Sequence, residues 1–132
     1  MSKDEINEKI DEFFVKDSEQ VILDNLERMK GWFSFDKQQI HVGEDVQNLP
    51  GKWKYLNYLL AAFVSDFRGY RDSPAVEHSE ADEYFGWDGK AEKRAYQVSS
   101  FIADGEDGGK MIPPGSFEKA ISKIEAELED DE

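Results

Sequence analysis

The chain has 132 residues, thirty Asp and Glu against sixteen Lys and Arg for a formal net charge of -14, and no cysteine. That balance disfavours indiscriminate binding to nucleic acid or to anionic membrane. The absence of thiols excludes disulfides and thiolate metal sites, and makes a cytoplasmic setting the simplest expectation.

Ser2-x-x-Glu5 is a capping-box pattern, and Ile6, Ile10, Phe13 and Phe14 follow at helical spacing. The start is charged from its third residue, so no signal segment is expected. Asp17 or Ser18 can cap a second helix, with an apolar stripe of Val21, Ile22, Leu26 and Met29 that ends near Gly31. WFSFDKQQIHV, residues 32–42, reads as two β-prone runs around a polar turn, a small hairpin. GEDVQNLPG is a connector, and Pro50-Gly51 is a breaker. That point divides the chain into an N-terminal helical segment with a short hairpin, residues 1–50, and a second unit, residues 51–128. An acidic tail, 129–132, remains.

Residues 52–68 carry the clearest helix, with Leu56, Leu59, Leu60, Phe63, Val64 and Phe67 on a wide stripe. Apolar and aromatic residues off that stripe, including Tyr55 and Tyr58, predict burial on two sides. The second side meets either the N-terminal helices or another copy of the chain. The longest apolar run, YLLAAFV, is too short to cross a bilayer, so no membrane partner is expected.

Val76-Glu77-His78 reads as a very short strand. Ser79-x-x-Asp82 opens a short helix that Gly86 ends, and Asp88-Gly89 forms a tight turn before the next helix, 90–103. On that helix Ala91, Ala95, Val98 and Ile102 share one face, while Lys90, Lys93, Arg94, Gln97 and Phe101 share another. DGEDGG is a turn and KMIP a return strand. Ser116 can cap a last helix with a buried stripe of Phe117, Ala120, Ile121, Ile124 and Leu128. The expected class is mainly α with a small β component (α+β).

Charge varies along this order. Residues 51–76 and 90–101 are each net +2, whereas residues 1–50, 77–89 and 102–132 are net -6, -5 and -7. Lys90, Lys93 and Arg94 therefore interrupt an acidic chain on one face of one helix.

From residue 52 the order is helix, short strand, short helix, turn, helix, glycine-rich hairpin, helix. Together with HSEADEYFGWDGKAEKRAYQVSSFIADGEDGGKMIPPGSFEKAISKI, this order resembles the winged helix-turn-helix family over about residues 52–128. The resemblance implies a positioning helix near 80–85, a recognition helix at 90–103 that enters the major groove, and a wing near 104–112. By position, Arg94 and Gln97 would meet base edges, Lys90 and Lys93 phosphates, and Lys110 the backbone from the wing. Lys52 and Lys54 would add phosphate contacts. Glu106 and Asp107 depart from the pattern, because phosphates repel a wing tip that carries them.

The resemblance implies a DNA-binding transcriptional regulator with double-stranded DNA as partner, as a homodimer through the N-terminal helices or helix 52–68. The other expectation is an acidic protein-interaction module on the same scaffold, an adaptor or a mimic of DNA charge, with a protein partner and no DNA.

Nothing in the sequence points to an enzyme, a cofactor or a metal. GEDGGK lacks the spacing of a phosphate-binding loop. His78 stands among Glu77, Glu80, Asp82 and Glu83, a set too poor in nitrogen for a transition metal and read as solvated acids at a helix start. Trp32, Trp53 and Trp87 are expected to be partly buried rather than free stacking surfaces.

Overall fold

The computed structural model describes residues 18–105 and 108–130. The capping box and first predicted helix, like Glu106 and Asp107, lie outside the described residues. The described chain is mostly helical, with two small antiparallel hairpins.

Helix α1, Ser18–Asn25, buries Val21 and Ile22. Buried Asn25 turns its amide back to donate to Val21 O at 2.8 Å, and a 3-10 turn, Glu27–Met29, follows. This shift in winding corrects the predicted stripe. Met29 is buried, but Leu26 is rotated outward and is 51% exposed. Strands β1, Phe33–Asp36, and β2, Gln39–Val42, form the expected hairpin with Phe33 opposite Val42 and Asp36 opposite Gln39. Its two-residue turn is Lys37-Gln38, both at positive φ, 52° and 67°. Primed turns of this kind suit the strand twist but normally recruit Asn or Gly.

The connector is not loose. It winds into a 3-10 turn, Glu44–Val46, and buries Val46 and Leu49. Pro50 O then accepts the Trp53 and Lys54 amides at 3.0 and 3.2 Å and starts helix α2, Gly51–Phe67. Trp53 and every residue from Tyr55 to Ser65 are buried in α2. The two hairpins, α1 and the later helices surround it. The prediction of burial on two sides therefore holds, but both sides are filled from within the chain. From Tyr55 to Ser65 the helix shows no exposed face among the described residues, and Tyr55 and Tyr58 are buried within the chain. Phe67, at the far end, is 49% exposed.

Helix α3 spans His78–Phe85. Glu77 occupies the N-cap position without a side-chain cap, so Ser79 lies inside the first turn rather than capping it. Gly86 takes the left-handed conformation, φ 69°, and the Trp87 amide reaches Asp82 O at 2.9 Å, a Schellman ending. Helix α3 is tied to α2 and to the preceding loop by one polar knot. Arg71 donates to both Glu80 carboxylate oxygens, at 2.8 and 3.0 Å, and to Ser73 O and Ala75 O. Tyr58 donates to Glu80 Oε2 at 2.7 Å. Burial and this carboxylate both push the Tyr58 phenol above its ordinary pKa. For Arg71, burial pulls the pKa down, but the bonds and charge of Glu80 outweigh it and raise the net value.

Helix α4, Ala91–Gln97, is shorter than the predicted 90–103. Val98 leaves helical geometry at φ -113°, ψ 23°, and a 3-10 turn, Ser99–Phe101, follows. A β-branched residue before two serines favours this break, since serine hydroxyls compete for backbone groups. The turn rotates Phe101 off the lysine face and onto Trp53, edge to face at 6.5 Å.

Strands β3, Ala103–Asp104, and β4, Lys110–Met111, form the second hairpin. Val76 pairs with Lys110 through both backbone bonds, at 2.8 and 2.9 Å, and extends it on the β4 side. The predicted very short strand is thus present as a single bridge. Gly105 is required by close approach, because a Cβ there would lie 2.5 Å from the Ala75 methyl.

Helix α5, Pro114–Asp130, begins two residues before the predicted Ser116 cap, on a proline suited to the first helical turn. It runs through Glu129, so the predicted tail at 129–132 is partly helical. Phe117, Ala120, Ile121 and Ile124 are fully buried, and Phe117 meets Phe63 with ring centroids 4.7 Å apart. Buried residues from both sides of Pro50 belong to one hydrophobic cluster.

Candidate nucleic-acid interface

Helix α4 is seated by its small residues. Ala91 and Ala95 let it lie close against α2, and Val98 closes the buried side. Its first turn is held by a neighbour. Asp82 Oδ1, from α3, accepts the Ala91 amide at 2.9 Å and does the work of an N-cap. The opposite side of the helix is left to solvent. Lys90, Lys93 and Gln97 are exposed on it, as the sequence predicts. No carboxylate among the described residues lies within 4.0 Å of either lysine.

Arg94 is half-buried, because it leans inward. Its guanidinium lies over the Trp87 indole, 5.4 Å from the centroid, and against Gly51 at the start of α2. One of its terminal amines donates to Gln97 Oε1 at 3.3 Å. Arg94 thus engages the amide oxygen of Gln97, whose side chain is exposed. This seat corrects the picture of Arg94 standing free beside Gln97.

Lys110 also departs from its predicted role. Its ammonium is paired with Asp104 across the β3–β4 hairpin. The lysine holds the Asp104 carboxyl below the usual carboxylate range. A phosphate at this ammonium would have to compete with the exposed Asp104 carboxylate.

Tyr96, on the outward side of α4, is 81% exposed, and reasoning from sequence passed over it. Its position, three residues after Lys93, was the available clue. It edges a cleft of about 430 Å³ between α4 and the hairpin, which His78, Glu92, Asp104 and Lys110 also line. Lys52 is half-buried and lies over its neighbour Trp53, 4.9 Å from the ring centroid.

Among the described residues, no helix is long and apolar enough to cross a membrane, and no group of three or more His, Cys, Asp or Glu side chains is arranged to hold a metal ion. Comparison with protein-family models, with curated proteins and with solved structures finds no match to this chain.

Proposed function

We propose that this protein is a winged helix-turn-helix DNA-binding protein, a transcriptional regulator that reads the major groove with α4. The order α2, Val76 strand, α3, α4, hairpin β3–β4, α5 supports the fold reading, and so does the pairing of Val76 with β4. The observation that carries the functional reading is the outward side of α4. In a chain of net charge -14 it presents Lys90, Lys93 and Gln97 together, with no carboxylate on either lysine among the described residues. Lysines suit phosphates, and a glutamine amide suits a base edge.

Selection of bound sequences from a random duplex pool, at controlled salt, tests the reading. Lys93→Ala weakens binding to all selected sequences. Gln97→Ala and Arg94→Ala each cost about 1–3 kcal/mol and relax preference at one position. Unchanged DNA affinity in all three variants refutes it.

A second reading, an acidic protein-interaction module on the same scaffold, is favoured by the pairing of Lys110 with Asp104 and the acidic segments that flank α4. Gel-shift and pull-down assays at low and high salt separate the two. A stable protein partner without DNA binding at low salt selects the second.

A further inference from the structure

A cationic cluster adjoins α4 on the flank away from the β3–β4 hairpin. Lys52 Nζ and Lys123 Nζ both lie over the Trp53 indole, 4.9 and 5.2 Å from its centroid. Lys119 Nζ lies 5.0 Å from the centroid of Phe101, the ring that meets Trp53. Three ammonium groups from α2 and α5 are thus gathered over two touching rings. Arg94, packed on Gly51, links this cluster to α4.

Thirty carboxylates are available in the chain, yet among the described residues Lys52 and Lys119 pair with none of them. Only Lys123 has such a partner, Glu127 at 3.0 Å. An incoming polyanion therefore meets Lys52 and Lys119 without having to displace a carboxylate. Helix α2 also has no acid in its first turn, so the positive end of its dipole adds to the field.

We infer that this cluster is a clamp for the phosphate backbone of duplex DNA, beside the groove that α4 enters. The inference rests on the proposed DNA binding. Backbone contact passes to this flank because Lys110, on the hairpin flank, is occupied by Asp104. Trp53 is 6% exposed beneath the lysines and is not free to stack on bases, so the contact is with phosphate and is blind to sequence.

The test is fluorescence anisotropy with a mixed-sequence duplex about two helical turns long, over graded KCl. Lys52→Gln and Lys119→Gln each lessen the slope of log affinity against log salt by about 1. Each loss equals about 3- to 4-fold less sensitivity to a change from ~50 to ~200 mM salt. Lys37→Gln, the same charge change at the β1–β2 turn, leaves the slope as it is. Glu127→Gln releases Lys123 and raises affinity more than Glu19→Gln, the same charge change on α1, does.

An unchanged slope in a Lys52→Gln/Lys119→Gln protein that melts like the parent, while the parent binds, overturns the clamp and leaves the reading of α4 standing. Absence of binding by the parent at low salt overturns both. Retained DNA affinity with lost binding of a polyglutamate peptide assigns the cluster to an acidic protein partner and also overturns the clamp.

Discussion

Glu80 accepts bonds from two elements at once, and Glu80→Ala exposes what that costs to lose. Tyr58 is 5% exposed, so its hydroxyl, 2.7 Å from Glu80, loses its acceptor, and water reaches it only through the cleft that Tyr58, Arg71 and Glu80 line. An orphaned buried donor costs about 1–3 kcal/mol. Arg71 keeps Ser73 O and Ala75 O, but its charge loses the only carboxylate within reach among the described residues. Breaking a fully buried pair costs about 3–5 kcal/mol. Here the two side chains are 20% and 35% exposed, so water screens part of the loss and the low end applies. The two effects share one network and overlap, which gives about 3 kcal/mol in total. Urea titration of the parent and the variant measures this directly. A double-mutant cycle sharpens it. Tyr58→Phe costs about 1 kcal/mol in the parent and nothing further beside Glu80→Ala. A Glu80→Ala loss below about 1 kcal/mol, the range of exposed ion pairs, refutes the reasoning. So does a Tyr58→Phe cost that is the same in both backgrounds.

Gly51→Ala places a Cβ 2.7 Å from Arg94 Nε and drives the guanidinium off Trp87. Only the mobile end of a side chain moves, so stability changes by less than about 1 kcal/mol while, on the proposed reading of α4, DNA affinity falls; parent-like binding separates the Arg94 seat from that reading. Asp82→Ala removes the acceptor of the Ala91 amide and costs about 1 kcal/mol. Amide exchange then quickens in the first turn of α4, and unchanged exchange counts against the cap. In alkali, burial holds the Tyr55 and Tyr58 phenols above their ordinary pKa. The unfolded chain ionises near pH ~10, so the stabilisation is complete below that pH and is lost above it, by roughly 1.4 kcal/mol per pH unit for each tyrosine. Tyrosinate absorbance from these two therefore appears together with unfolding. Full titration of all five tyrosines before the unfolding transition refutes this.

Local chemistry made some elements legible in the sequence. Gly86 after Tyr84-Phe85 marked a helix end because only a left-handed residue closes that turn cheaply. The polar pair between β-prone runs marked the first hairpin, and the helical stripe marked Leu56 to Val64. Features decided by tertiary contact were not legible. The break after Gln97 has a local cue in Val98-Ser99-Ser100, but the apolar period of 3.6 carried through Val98 masks it, and the contact of Phe101 with Trp53 that accompanies the break is not readable from spacing. Segment charge also misled. Lys119 and Lys123 fall in a block of net -7, but α5 turns them to Trp53 and Phe101. Of the predicted contacts on α4, Lys90, Lys93 and Gln97 stand outward. Arg94 and Lys110 were diverted by partners, Trp87 and Asp104, that spacing along the chain does not reveal.

The shared interior on either side of Pro50 limits how this chain can be recombined. A gene fusion that borrowed only residues 51–130 would carry α2 with one flank stripped, and Ile40, Val42, Val46 and Leu49 would be left behind. The half that bears α4 is therefore expected to be less stable when cut from its upstream hairpin.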